Sequence, residues 1–180
     1  MELGEGAGRG FSLNVPFEPF TQDDSWMRSV RSVLPEVARR YHPDVVISAH
    51  GADTHVWDPL THLSLTTRSF REQVELTHEL AHELAGGRWL AVGSGGYDWR
   101  RVVPRSWAIV WSEMSRRPLP AEIPVPWLKR WEGDAEEPMP AHFEDAETLA
   151  RAVPRRDEID RANELTVSRL LQSIDILVAP

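Results

Sequence analysis

Two short apolar runs, Asp44-Val45-Val46-Ile47-Ser48-Ala49 and Trp89-Leu90-Ala91-Val92-Gly93, constrain this 180-residue chain more than any other feature. Both are continuous rather than alternating, as in strands covered on both faces, and such strands belong to parallel sheets flanked by helices. Between them an amphipathic pattern runs from Thr66 to Ala85 and stops at Gly86-Gly87, which reads as a helix with a glycine end. Strand, helix and strand over about 50 residues make a βαβ unit of an α/β fold, whose ligands lie beyond the carboxyl ends of the strands. Function is therefore to be sought in the two loops that leave those ends, His50 to Leu65 and Gly93-Ser94-Gly95-Gly96.

The flanking chain is consistent with one domain-sized core. Phe11-Ser12-Leu13-Asn14-Val15 alternates and ends at Pro16, predicting a strand. Trp26, Val30, Val33, Leu34, Val37 and Tyr41 recur at helical spacing from Asp23 to Tyr41, and Pro35 is expected to kink that helix or begin a second. A third helix is expected from Asp98 to Arg116. The proline-rich stretch Pro118 to Pro140, with Trp127 and Trp131, reads as an extended segment wrapped over the surface. A charged amphipathic helix follows from Arg155 to Leu171, and Ile174 to Val178 closes the chain.

Composition removes several classes. The net charge is −8 with no Lys/Arg cluster, so no nucleic-acid partner is expected. No apolar run is long enough to span a bilayer and the first residues are acidic and glycine-rich, so neither a membrane nor a signal peptide is expected and the location is read as cytoplasmic. Cysteine is absent, which leaves only His and carboxylates to hold a metal.

Two histidine clusters compete as the site. His78-Glu79-Leu80-Ala81-His82 matches the helical zinc pattern of metallopeptidases, in which two imidazoles one turn apart bind the ion and the Glu acts as base. Helical projection puts His78 and His82 at the margin of the buried face and Glu79 in solvent, which favours an exposed helix edge. The loop His50-Gly51-Ala52-Asp53-Thr54-His55-Val56-Trp57-Asp58-Pro59-Leu60 holds two imidazoles and two of its carboxylates directly after a strand, where sites concentrate.

Linked motifs decide between them. Gly8-Arg9-Gly10-Phe11-Ser12-Leu13-Asn14-Val15-Pro16, Pro43-Asp44-Val45-Val46-Ile47, Gly51-Ala52-Asp53 with Asp58-Pro59-Leu60, Leu65-Thr66-Thr67 and Gly93-Ser94-Gly95-Gly96-Tyr97 occur in the order seen in the histone deacetylase family. The chain resembles that family over Gly4 to Arg116, and its bacterial acetoin-utilization branch most. The resemblance implies the C-terminal half of a three-layer, parallel-sheet arginase/deacetylase-like domain over residues 1–117, with residues 118–180 forming the Pro/Trp-rich wrapping segment and the C-terminal helix. It implies a zinc-dependent amidohydrolase for acetylated lysine or a small acetylated amine, the ion polarising the amide carbonyl and activating water. In that pattern Asp58 is a zinc ligand and Tyr97 donates a hydrogen bond to the oxyanion. Gly95, Gly96 and Trp57 border the substrate, and Phe11 lends its carbonyl to a structural cation.

The family's His-His pair and its Asp-x-His element, which supplies the other two zinc ligands, belong ahead of the matched stretch. The expectation is therefore a partial chain that holds no zinc by itself, is inactive alone, and either self-associates or pairs with the missing N-terminal half. The alternatives are the peptidase of His78, Glu79 and His82, or a non-catalytic, degenerate binding module using its Trp127 to Pro140 surface.

Overall fold

The computed structural model describes residues 3–134, 137–149 and 152–177. Both apolar runs form strands, β1 (Val46–His50) and β2 (Trp89–Gly93), paired in parallel with Val46 opposite Trp89 and His50 opposite Gly93. The crossover between them is α2 (Thr67–Ala85). Thr66 caps its start, its hydroxyl oxygen accepting from the Arg68 amide, and Gly86 ends it in the left-handed conformation at φ 60°.

Helix α1 (Asp23–Tyr41) packs on α2, and α3 (Val103–Ser115) packs on α2 as well. Asp23, at the start of α1, is buried and joins the two helix starts. Its carboxylate accepts from the Thr66 amide at 2.8 Å, the Thr66 hydroxyl at 2.6 Å and the Ser69 hydroxyl at 2.6 Å. Pro35 neither splits nor restarts α1, which is a single helix. Residues on both sides of Pro35, Val33 and Val37, sit in one apolar cluster, and that packing outweighs the roughly 3 kcal/mol a mid-helix proline costs.

Helix α5 (Arg156–Leu177) lies against α1, and Val33, Val167, Leu170 and Ile174 form the core between them. It is longer than the sequence pattern predicts and absorbs Ile174 to Leu177; Val178 lies outside the described residues. Asn163 locks α5 in place: its amide group donates to the hydroxyls of Thr21 (2.8 Å) and Ser25 (2.9 Å), and its carbonyl accepts from the Glu18 amide at 3.0 Å.

Three other expectations change. Phe11 to Val15 is not a strand; Leu13 and Val15 pack instead on the α1/α5 core, so its alternation reflects burial without a pairing partner. Helix α3 starts five residues later than expected because the Asp98 carbonyl accepts from the Val102 and Val103 amides in a turn, leaving Pro104 in the first helical turn, where its missing N–H is harmless. The segment from Pro118 to Pro140 is not extended throughout, since it contains α4 (Val125–Trp131), whose Trp131 ring meets Trp99 and Trp127 at 5.4 and 5.7 Å.

One face of the sheet packs on α2, with the ring of Trp89 stacked on His78 and that of His50 near Phe70. The opposite face carries Val45, Ile47, Leu90 and Val92, which are 51%, 67%, 52% and 41% exposed. The continuous apolar pattern asks for cover on both sides, and this chain provides it on one. Replacing Asn163 with Ala should strand two buried hydroxyls and an amide and cost about 1–3 kcal/mol in urea unfolding; a cost near zero would show that α5 is held by its apolar face alone.

Candidate active site

The loops leaving β1 and β2 are joined to each other. The Ala52 amide donates to the Gly95 carbonyl at 2.5 Å. A Cβ on Gly95 would lie 2.1 Å from Asp53 Oδ2, and one on Gly96 would lie 2.6 Å from Val103 Cγ2. These two glycines are required by close approach of the loops to each other and to α3, in addition to any approach of a ligand.

Asp58 sits where the loops meet and its side chain is buried. Oδ1 accepts from the amides of Leu60 (2.9 Å) and Thr61 (3.3 Å), while Oδ2 accepts from the Tyr97 amide at 2.8 Å. Three backbone donors fix the carboxylate and still leave it acceptor capacity. Asp58 therefore brings Tyr97, 39 residues later, to its own position. The Tyr97 side chain is about half exposed and borders a shallow groove of 260 Å³ together with Trp57, Pro59, Trp99 and Arg101. The structure thus gathers Asp58, Tyr97, Trp57, Gly95 and Gly96 into one region. Phe11 is elsewhere, exposed against Tyr41 at 5.9 Å on the side of α1.

Beneath this loop lies a charged network that sequence reasoning missed. Asp145 accepts from His55 Nε2 at 2.8 Å, from Arg105 Nη1 at 2.6 Å and from the Thr67 amide at 2.9 Å, and its own amide donates to the Thr67 hydroxyl at 2.8 Å. All three ionisable side chains are 4% exposed or less. Burial works to raise the Asp145 carboxyl, but the His55 hydrogen bond and the Arg105 charge outweigh it and hold the group well below the usual carboxylate range. His55 Nδ1 accepts from the Trp57 amide at 3.1 Å, so the ring carries its proton on Nε2. The Asp58 amide in turn donates to the His55 carbonyl at 2.8 Å. Trp57 is held by the His55 ring at 5.1 Å and by the guanidinium groups of Arg101 and Arg105 at 5.0 and 5.1 Å. Asp145 lies in a polar stretch with no motif, so only its distant partners reveal it. At the end of β1, burial pushes the His50 imidazole down, and its Nε2 meets the Ser48 hydroxyl at 2.7 Å.

The donors present do not fit a zinc ion. A catalytic zinc takes three protein ligands and one open position. Among the described residues no group of three or more His, Asp and Glu is placed to hold a metal. Within this chain, Asp53-Thr54-His55 does have the Asp-x-His spacing. It supplies no imidazole ligand, since both His55 nitrogens are engaged by Asp145 and the Trp57 amide. The peptidase pattern lacks a third ligand in the same way, and its Glu79 is exposed.

Residues 1–114 match the family model described as the histone deacetylase domain. The chain belongs to the histone deacetylase family. It is 45% identical over 174 residues to the acetoin utilization protein AcuC of Bacillus subtilis (strain 168), covering 97% of this chain and 45% of that relative. The AcuC of Staphylococcus aureus (strain MRSA252) is 35% identical over 164 residues, 91% of this chain and 42% of the relative. The chain thus spans less than half the length of the curated relatives it matches. Its fold is that of a histone deacetylase homologue from Aquifex aeolicus, with a TM-score of 0.70 and 23% identity over 92% of this chain and 44% of the other. A histone deacetylase homologue complexed with SAHA superposes with a TM-score of 0.71 at 22% identity, over 92% of this chain and 44% of that one. No described helix is long and apolar enough to cross a membrane.

Replacing Asp145 with Ala should remove the shared acceptor of three buried donors, His55, Arg105 and the Thr67 amide, and cost about 3–5 kcal/mol in chemical unfolding. The folded Asp145 binds its proton less readily than the unfolded chain, so its contribution is complete above about pH 4 and is lost as the pH falls below that. An Asp145→Asn chain should accordingly show a shallower acid limb; an unchanged limb would place the acid sensitivity elsewhere.

Proposed function

We propose that this chain carries one wall of the site of a zinc-dependent, deacetylase-type amidohydrolase, whose substrate is acetylated lysine or a small acetylated amine. The observation that carries this reading is the hydrogen bond from the Tyr97 amide to the Asp58 carboxylate, which ties a fixed, buried carboxylate to the backbone of the residue that carries the half-exposed phenol, beyond the ends of two parallel strands. Asp58 offers one metal ligand. The Tyr97 hydroxyl offers a donor for a developing oxyanion, a role whose loss typically costs about 10²–10³ in rate. The groove beside Trp57 and Arg101 receives the acyl amine.

One ligand does not hold a catalytic zinc, so the chain is inactive alone, and the other ligands belong to residues outside this sequence. The bare face of Val45, Ile47, Leu90 and Val92 supports the same view, because a parallel sheet is stable when both faces are covered. That face is the surface for the missing part of the domain or, without it, for another copy of this chain.

The purified chain should hydrolyse no acetyl-lysine peptide and should carry no equivalent of zinc that Asp58→Ala removes. Turnover together with one equivalent of Asp58-dependent zinc would overturn the reading. In sedimentation velocity the chain should associate with increasing concentration, whereas a monodisperse monomer with a cooperative melt would show that the bare face needs no cover.

A further inference from the structure

The second histidine cluster has a geometry of its own. His78 and His82 are one turn apart on α2, and their Nε2 atoms share a hydrogen bond of 3.0 Å. On its other side His78 Nδ1 meets Glu113 Oε1 of α3 at 2.7 Å, and the His78 ring stacks on Trp89 at a centroid distance of 5.4 Å. The carboxylate takes the Nδ1 proton, so His78 Nε2 is the acceptor of that bond and His82 Nε2–H is the donor. His82 is positioned by the chain that follows the helix: a Cβ on Gly87 would lie 3.0 Å from its Cε1 and 3.1 Å from its Nδ1, so the ring rests on bare glycine backbone. The two ring centroids are 4.8 Å apart with the planes inclined by 48°. Both imidazoles are therefore held before any ligand arrives, and the space beside them is a water-accessible cavity of 740 Å³ lined also by Glu79, Ser112 and Arg116.

The geometry points to a two-histidine chelate for a divalent transition metal of the copper type, formed by His78 Nε2 and His82 Nε2, with Glu113 as the outer carboxylate that orients His78. Metal–imidazole bonds are about 2.0–2.1 Å long, so two nitrogens 3.0 Å apart lie within reach of one shared ion. Copper(II) binds nitrogen ligands most strongly among the divalent first-row ions. The ion takes the place of the proton shared by the two Nε2 atoms, which His82 takes up on Nδ1, so a neutral pair binds without net loss of a proton. Water fills the remaining positions, consistent with no third His, Asp or Glu of the described residues being placed as a ligand. The site is distinct from the Asp58 region and shares no residue with the groove beside Tyr97.

Titration of the chain with copper(II) chloride at neutral pH, followed by calorimetry and electron paramagnetic resonance, tests this. One tight equivalent is expected, with hyperfine structure from two imidazole nitrogens. His82→Ala, at an exposed helical position that alanine suits, should keep its helical circular dichroism, bind at least about tenfold more weakly and show one imidazole. Glu113→Gln should retain both nitrogens and bind about tenfold more weakly, the usual effect of losing an outer carboxylate. Copper held as tightly by the His82→Ala chain, or a single-imidazole spectrum in the unaltered one, would overturn the site.

Discussion

The arrangement of the site depends on the buried carboxylate of Asp145. It joins the start of α2 through Thr67, the first turn of α3 through Arg105 and the loop after β1 through His55. Since His55 also receives the Trp57 amide and its carbonyl receives the Asp58 amide, hydrogen bonds connect Asp145 to the backbone of Asp58 by way of His55. The charges are far from water, where an unpaired ion is costly and a paired one is rigid. Rigidity is what the far end of the network, where the buried Asp58 carboxylate meets Tyr97, needs if it is to present ligand and donor in a set geometry.

Much of this was legible in the residues. The continuous apolar runs identify both strands, and the β2 run matches its strand residue for residue. The glycines at positions 95 and 96 mark the loop crossing, and the spacing of Asp58 and Tyr97 in shared motifs places them together. What was not legible depends on contacts between distant segments. Asp145 looks like any acidic loop residue until Arg105, His55 and Thr67 converge on it. Phe11 to Val15 alternates as a strand would, but alternation records which side chains are buried and is silent on whether a partner strand exists. The late start of α3 turns on the Asp98 carbonyl accepting two amides, a detail that composition does not carry.

The histidine pair on α2 shows the same limit from the other side. Projection correctly sends Glu79 to solvent, yet the convergence of His78 and His82 depends on Glu113, Trp89 and Gly87, none of which the five-residue pattern includes. A motif states which side chains share a helix face, and the neighbouring elements decide where their nitrogens point.

The central claim is that Asp58 and Tyr97 are the reactive face of a divided deacetylase site. It is tested most directly by a chimera in which this chain replaces the matching 174-residue stretch of the Bacillus subtilis relative, assayed on an acetyl-lysine peptide beside the unaltered relative. The chimera should turn over, lose activity with Asp58→Ala, and slow by about 10²–10³ with Tyr97→Phe. A chimera that hydrolyses the peptide equally well with Asp58→Ala would contradict the account.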